Sequence, residues 1–243
     1  MRFDGQSVAV VGGGSGIGKA VAKMAAAAGA ELVVSSRNQA KLDAAVSEIG
    51  HGHALAVDMT DPSSVTAWVD AIPDLDHLVI SASSAAHGRF VDLAEADLRR
   101  MFDAKFFGPY AVAKAARGKL RKSGSITFFS GVLSRRPGLN CSGLGAVNGA
   151  VEALTRALAL ELGPDLRVNC LSPGMVRSDA YSGMDPKRRE AMYTATGDTL
   201  PTGRVGEVAE AAEAALFLMS NAYTTGLVLD VDGGHMVRQH ATR

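Results

Sequence analysis

Residues 8–18 read Val-Ala-Val-Val-Gly-Gly-Gly-Ser-Gly-Ile-Gly. The apolar β-branched run predicts a strand, and the Ala-rich residues 16–28 after it predict a helix that Gly29 can end. Glycines allow the tight turn between the two elements and let backbone N–H groups approach a ligand closely. The N-terminus of the helix then faces that ligand with a partial positive charge, which favours phosphate. The stretch therefore predicts a strand–loop–helix unit that binds a dinucleotide, although a glycine-rich turn without a ligand is the alternative.

The rest of the chain repeats this alternation of short apolar runs with helical patterns. Further strands are predicted at residues 31–35, 54–57, 75–81, 125–130, 167–171 and 227–231. Helices are predicted after Asn38, after Asp61-Pro62 and at residues 93–120 (with a bend at Gly108-Pro109), 146–162 and 208–219, with a helical piece near 186–192. Strands that alternate with helices of this length form right-handed units on a parallel sheet that helices cover on both faces. The pattern predicts one α/β domain over residues 1–243, a three-layer doubly wound fold with a seven-stranded, mostly parallel sheet.

Composition excludes several functional classes. The 243 residues include 25 Lys and Arg against 25 Asp and Glu. The chain therefore lacks the excess of basic residues that binding to nucleic acids or membrane surfaces requires. No apolar run reaches the length of a membrane helix, and the N-terminus has no signal-peptide layout. The two cysteines, Cys141 and Cys170, make no disulfide framework, and no Cys/His spacing indicates a metal site. We expect a cytoplasmic protein that acts on a small molecule and does not bind nucleic acid or membranes.

The spacing Gly12-x-x-x-Gly16-x-Gly18 resembles that of the short-chain dehydrogenase/reductase family, whose fold is of the Rossmann type. The resemblance continues nearly to the end of the chain, through the Pro173-Gly174 turn and the stretches at residues 203–207 and 231–234. It implies an NAD(P)-dependent oxidoreductase, commonly a dimer or tetramer of identical chains, in which residues 176–204 cover the substrate. We call residues 176–204 the lid segment.

The resemblance, together with the glycine loop, implies four groups of cofactor-binding residues. They are the glycine loop, the end of the second strand, the residues after the third and fourth strands, and the turn beside the nicotinamide. The members are Gly12, Gly14, Ser15, Gly16, Ile17, Gly18; Ser36, Arg37, Asn38; Asp58, Met59, Ser81, Ala82, Ser83; and Pro173, Gly174, Val176, Ser178.

The end of the second strand, Ser35-Ser36-Arg37-Asn38, has no acidic residue. An acid there would bind the ribose 2′-hydroxyl of NAD and repel a 2′-phosphate. Arg37 can instead bind that phosphate, with Ser36 and Asn38 as hydrogen-bond partners. The sequence therefore favours NADP(H) over NAD(H), unless Arg37 is only a solvated cation or stacks on adenine.

The family's acid/base pair, Tyr-x-x-x-Lys at the start of the long helix, has no match here. Leu144 occupies the tyrosine position and Asn148 the lysine position, and Gly131 occupies the usual serine position, directly after Ser130. Leucine cannot donate a proton. The position of the family's asparagine falls near Lys105, so that the lysine and the asparagine have changed places between two helices. This exchange is a hypothesis; the alternative is that Lys105 extends to solvent and the site has drifted.

Other polar groups could handle the proton. His87 follows the fourth strand, where ligands bind in such sheets, and histidine changes charge near neutral pH; the alternative is a solvent-exposed loop histidine without a catalytic role. Ser130 follows the fifth strand, Ser142 lies two residues before Leu144, and Tyr181 or Tyr193 could reach inward from the lid segment. The sequence shows no histidine paired with Cys141, which argues against a nucleophilic thiol.

Two functions follow from these residues. The first is an NADP(H)-dependent oxidoreductase with an atypical site, in which Lys105, Ser130, Ser142, Asn148 or His87 serves hydride transfer to or from a carbonyl, an alcohol or an activated double bond. The second is a catalytically inactive NADP(H)-binding sensor or assembly subunit. The sequence does not identify the substrate.

Overall fold

A computed structural model describes residues 1–81 and 85–237. Seven strands form one sheet in the order β3-β2-β1-β4-β5-β6-β9, and every neighbouring pair is parallel. The sheet strands are β1 Ser7–Val11, β2 Glu31–Ser36, β3 His53–Ala56, β4 Leu75–Ile80, β5 Leu120–Phe129, β6 Leu166–Pro173 and β9 Val228–Val231. Two short strands, β7 Val176–Arg177 and β8 Gly206–Glu207, pair separately.

Helices connect the strands and cover the sheet. They are α1 Gly16–Ala27, α2 Gln39–Ile49, α3 Pro62–Ala71, α4 Glu95–Phe102, α5 Gly108–Ala116, α6 Ser142–Leu162, α7 Pro186–Gly197 and α8 Val208–Ser220, with a π-helical turn at Asp103–Phe107 between α4 and α5. The Rossmann-type fold and the seven-stranded parallel sheet that the sequence predicts are confirmed.

Alternate residues of the strands face two separate hydrophobic cores. Val8 and Val10 of β1 belong to the core beneath α1 and α8, whereas Ala9 and Val11 belong to the core on the opposite face. Because the strand is buried on both faces, all four residues are at most 1% exposed, which explains the continuous apolar run.

The order of the strands positions the ligand site. β1 is paired with β2 on one side and with β4 on the other. The connection after β1 leads to β2 and the connection after β4 leads to β5, in opposite directions along the sheet, so a crevice opens at the carboxyl end of β1. Ligands of open parallel sheets bind in the crevice at such a point. The glycine loop lies there.

The structure differs from the predicted elements in several places, among them the helix predicted over residues 93–120, whose α-helical part ends at Ala116. The interruption expected at Gly108 is a π-helical turn that precedes it, and α6 begins at Ser142, four residues earlier than predicted. Strand β5 begins at Leu120, earlier than predicted, because residues ahead of the apolar run also pair with β4 and β6. Within the described residues, no helix is long and apolar enough to span a membrane.

Candidate active site

The glycine loop turns tightly between β1 and α1. The N–H groups of Gly12 and Gly13 both donate to the Ser35 carbonyl, at 2.7 and 3.1 Å, which fixes the loop to the end of β2. Gly12 and Gly16 have positive φ angles of 90° and 53°, which side chains disfavour. A β-carbon on Gly18 would lie 2.2 Å from the Gly12 carbonyl oxygen, so α1 packs against β1 more closely than any other residue would allow.

Ser36, Arg37 and Asn38 lie beside this loop. Ser36 Oγ would be 3.1 Å from a β-carbon on Gly14, so the serine faces the glycine across a narrow gap. Asn38 caps α2, since its Oδ1 accepts from the N–H of Lys41 at 3.0 Å. Arg37 is exposed, and its charge is close enough to Asp58 to help lower the pKa of that carboxyl.

Asp58 and Met59 follow β3 in a polar turn. The main cause of the lowered pKa of Asp58 is hydrogen bonding, because Oδ1 accepts from both Oγ1 and the N–H of Thr60, at 2.7 and 2.9 Å. The carboxylate is therefore charged and held in place at neutral pH. Met59 packs on the start of α5, where a β-carbon on Gly108 would lie 2.8 Å from the Met59 Cβ.

The remaining predicted cofactor residues lie along the same edge of the sheet. The N–H of Ser81 donates to the Val11 carbonyl at 2.8 Å, which places the end of β4 beside the loop; Ala82 and Ser83 lie outside the described residues. Pro173 ends β6, and a β-carbon on Gly174 would lie 2.8 Å from Cα of Asp232.

The start of the lid segment reaches the glycine loop. Val176 is 7% exposed in β7, and Cβ of Ser178 would lie 3.8 Å from a β-carbon on Gly16. Ser178 caps the short 3-10 turn Asp179–Tyr181, where its Oγ accepts from the N–H of Ala180 at 3.4 Å. Ser178 therefore lies above the beginning of α1.

Lys105 and Asn148 bind the carbonyls of two consecutive residues, Ser130 and Gly131. Lys105 Nζ donates to the Ser130 carbonyl at 3.0 Å, and Asn148 Nδ2 donates to the carbonyl of Gly131, the next residue, at 3.3 Å. Lys105 is 8% exposed and Asn148 2% exposed, so Lys105 does not extend to solvent. Burial lowers the pKa of Lys105 to about 8. The buried Oδ1 of Asn148 has no hydrogen-bond partner among the described residues.

The π-helical turn accounts for the position of Lys105. The turn occupies Asp103–Phe107, so an extra residue is accommodated where α4 leads into α5. A π turn rotates the side chains that follow it and is frequent at functional sites. Here Lys105 is the buried residue of the turn.

A carboxylate that the sequence analysis missed lies beneath Ser130. Glu152 Oε1 accepts from Ser130 Oγ at 3.1 Å and from Ser134 Oγ at 2.5 Å, and Oε2 is 3.4 Å from Arg135 Nε. Glu152 is 4% exposed. Its position four residues after Asn148, on the same face of a helix, was the available sequence signal. The Ser130 hydroxyl therefore donates to this buried acid.

His87 lies in a different cluster. Its Nδ1 is 3.5 Å from Sγ of Cys141, and the N–H of Gly88 donates to the Asn140 carbonyl at 3.0 Å, so the two loops are joined. The interpretation that Cys141 lacks a histidine partner is therefore corrected: the two residues are far apart in sequence and meet only in the fold. Burial raises the pKa of the Cys141 thiol, which also donates to the Leu139 carbonyl at 3.2 Å.

Ser142 and Leu144 lie in the first turn of α6. Ser142 is exposed and Leu144 is half-buried, one turn before Asn148. Of the tyrosines in the lid segment, Tyr193 is 3% exposed and Tyr181 is half-buried, and their rings are packed edge to face at 5.8 Å.

Comparison with known proteins agrees with this geometry. Residues 11–236 match the family model described as enoyl-(acyl carrier protein) reductase. The chain is 38% identical to galactitol 2-dehydrogenase (L-tagatose-forming) of Cereibacter sphaeroides, over 97% of both chains. It is 33% identical to L-xylulose reductase of Mesocricetus auratus, over 96% of this chain and 97% of the other.

A solved structure extends the likeness to the fold and a bound cofactor. A small-chain dehydrogenase in complex with NADPH is 37% identical and superimposes with a TM-score of 0.83, over 95% of this chain and 98% of that one. The match covers the glycine loop, the sheet and the lid segment together. The chain belongs to the short-chain dehydrogenase/reductase family of NAD(P)-dependent oxidoreductases.

Proposed function

We propose that the protein is an NADP(H)-dependent oxidoreductase that interconverts a carbonyl and an alcohol on a small polar substrate. The observation that carries the cofactor preference is the end of β2, where Ser36 adjoins Gly14, the exposed Arg37 follows it and no acid is present. The relative solved with NADPH and the two sugar-converting relatives support the proposal.

The residues present fit NADP(H). In the proposed site the N–H groups at the start of α1 face the pyrophosphate, Arg37 and Ser36 face the 2′-phosphate, and Asp58 and Met59 face the adenine. Among the residues that the structure describes, none bonds to the buried acceptor Asn148 Oδ1, and this costs free energy unless a donor binds it. A ribose hydroxyl is such a donor, so Asn148 takes the ribose-holding role of the family's lysine.

Under this proposal the site keeps one positively charged side chain, but Lys105 supplies it from the π-helical turn and not from α6. Lys105 and Asn148, on these two elements, hold two consecutive carbonyls, those of Ser130 and Gly131. This arrangement favours the exchange of lysine and asparagine over drift, because Lys105 is buried and bonded. When bound, the cofactor supplies or accepts the hydride. Lys105 keeps the loop after β5 in place and gives the site its positive charge.

Proton transfer requires a donor other than Leu144. Lys105, with a pKa of about 8, is mostly charged at pH 7 but is bonded to a backbone carbonyl. His87 is exposed and is joined to the start of α6 through Cys141. We therefore propose His87 as the proton donor, with Ser142, the first residue of α6, as the second candidate.

The second candidate function is an NADP(H)-binding sensor or assembly subunit without catalysis. The specific observation that favours it is Leu144, an apolar side chain one helical turn from the proposed ribose contact. A sensor would bind the cofactor and change its oligomeric state or the order of its lid segment without turning over a substrate.

The protein is proposed to be a homo-oligomer, as the family resemblance implies. Phe107 at the end of the π-helical turn is 57% exposed, Tyr110 on α5 is 42% exposed and Leu160 on α6 is 84% exposed. Large apolar side chains exposed on neighbouring helices are typical of surfaces that a second subunit covers.

Calorimetric titration with NADPH and NADH tests the cofactor assignment. We expect NADPH to bind more tightly, and Arg37→Ala to weaken NADPH binding about 10-fold to 100-fold while leaving NADH binding unchanged, since a charge-assisted phosphate contact is lost. Arg156→Ala, an exposed arginine on α6, is the control. Equal loss for both cofactors would contradict the assignment of Arg37 to the 2′-phosphate.

A screen of ketoses, polyols and enones with NADPH or NADP⁺ then separates the two functions. For an enzyme we expect turnover that falls at least about 100-fold in His87→Gln, the usual scale of a lost proton donor. Cofactor binding without turnover, accompanied by a cofactor-dependent change in oligomeric state, would favour the sensor.

A further inference from the structure

The first residue of α1 is bonded to an acid in the lid segment. The N–H of Gly16 donates to Oδ2 of Asp179 at 3.1 Å, although the two residues are 163 positions apart. Asp179 begins the 3-10 turn that Ser178 caps, directly after β7. The lid segment therefore contacts the cofactor loop through a charged group.

Helix α1 has no acid of its own at this end. Its first turn contains no Asp or Glu, and the Ser15 side chain does not cap it. The N–H groups of a helix N-terminus and its partial positive charge favour one anion nearby. Asp179 supplies that anion from a distant part of the chain, at the helix end where the proposed site receives a pyrophosphate.

The segment that carries Asp179 is held by other contacts. Arg177 Nη1 is 2.6 Å from Glu190 Oε2, Arg177 Nε is 3.5 Å from Glu207 Oε1, and the guanidinium lies 4.6 Å above the ring of Tyr193. These bonds join β7, α7 and the start of α8. The carboxylate is therefore presented to Gly16 by an ordered support.

We propose that Asp179 is an affinity-determining residue for the cofactor, whose carboxylate holds the lid segment on the glycine loop and opposes the cofactor's phosphates there. The inference rests on the proposed cofactor site. The carboxylate and the pyrophosphate are both negative and both need the N–H groups at the start of α1. Cofactor binding therefore requires the Gly16–Asp179 bond to break or to weaken, which links entry of the cofactor to release of the lid segment.

Two variants at this position separate charge from hydrogen bonding. Asp179→Asn removes the charge and keeps the shape, whereas Asp179→Ala also removes the acceptor. We expect both to tighten NADPH binding, about threefold to tenfold at low salt, with a smaller gain at 0.5 M salt, because like-charge repulsion is screened. Asp185→Asn is the control, because Asp185 caps α7 in the same lid segment through the N–H of Arg188. We expect the control to change the affinity by less than twofold.

Unchanged or weaker binding in both Asp179 variants would overturn the proposal. Weaker binding would mean instead that Asp179 keeps the lid segment closed on bound cofactor. Hydrogen exchange of the Gly16 amide in the free protein provides a readout that does not depend on cofactor. We expect faster exchange in Asp179→Ala than in wild type, and an equal rate would refute the contact.

The same variants distinguish failure of this inference from failure of the proposed function. If wild type does not bind NADPH, the variants are titrated with NADPH and with inorganic pyrophosphate. Binding that appears only when Asp179 is replaced supports the inference. Absence of binding in every variant overturns both the cofactor site and the role of Asp179.

Discussion

Replacement of Lys105 by methionine should stabilise the protein while impairing its function. Lys105 is 8% exposed, and burial lowers the pKa of its amine from the ordinary value of 10.5 to about 8. At 1.36 kcal/mol per pH unit, this difference corresponds to about 3 kcal/mol by which the folded protein disfavours the charged amine. At pH 7 the amine is mostly charged in both the folded and the unfolded state, so nearly all of this cost is present.

The pH dependence follows from the direction of the shift. Between about pH 8 and 10.5 the unfolded chain binds the proton that the folded protein has lost, so stability rises with pH through this window. Methionine carries no charge and removes both the cost and its pH dependence. The lost bond to the Ser130 carbonyl costs about 1–3 kcal/mol. We therefore expect Lys105→Met to be more stable than wild type by up to about 2 kcal/mol at pH 7.

Urea unfolding at pH 7 and pH 9.5 measures both quantities. We expect the free energy of unfolding of Lys105→Met, relative to wild type, to fall by about 2 kcal/mol between the two pH values, because wild type regains that much. Lys114→Met, an exposed lysine on α5, is the control and should change stability by less than about 0.5 kcal/mol at either pH. A difference that does not vary with pH would refute the buried, shifted amine. In the same variant we expect weaker cofactor binding or turnover, and unchanged function would refute the exchange of Lys105 and Asn148.

Three further predictions concern the supporting structure. In thermal melts, Gly18→Ala should destabilise the fold by about 1–3 kcal/mol, since its β-carbon would lie 2.2 Å from a backbone oxygen, and it should also abolish cofactor binding. Gly149→Ala is the control: this glycine has open space around it within a helix, so the variant should stabilise the fold by about 0.5–1 kcal/mol. Trp68→Phe should lower the free energy of unfolding by about 2 kcal/mol, because it removes the buried hydrogen bond from Nε1 to Ser35 Oγ at 2.8 Å. A double-mutant cycle with Ser35→Ala should give a coupling energy of about 1 kcal/mol. Burial lowers the pKa of His77 to about 4, so stability should fall as pH drops from 6.5 towards 4, and His77→Gln should show a flatter profile in acid unfolding.

Local signals account for most of the fold. The alternation of apolar runs with helical patterns predicts the seven strands, because a strand between two helical layers is apolar on both faces. The sequence predicts the helix starts at Asn38 and Asp61, since both side chains accept hydrogen bonds from the first turn of the helix that follows. The early start of α6 was not readable, because Ser-Gly-Leu-Gly is a poor helical sequence that is held in place by packing on α4 and the loop after β5.

Only part of the candidate site could be predicted from the amino-acid sequence. The glycine loop is contiguous in sequence, so its geometry follows from its own residues. The contact between Cys141 and His87 joins two loops, and the burial of Glu152 under Ser130 depends on how α6 packs against the sheet. A sequence pattern reports neighbours along the chain and along one element, whereas these contacts depend on the distances between elements.

The amino-acid sequence alone indicates the fold class, the glycine loop and the basic end of β2, and it predicts that Leu144 stands at the family's tyrosine position. These features depend on residue chemistry and on spacing within one element. Tertiary structure alone decided that Lys105 is buried rather than solvated, that it and Asn148 hold consecutive carbonyls, and that Asp179 reaches Gly16. The physical reason is that burial and hydrogen bonding are set by which elements the fold brings together, over separations as long as 163 residues.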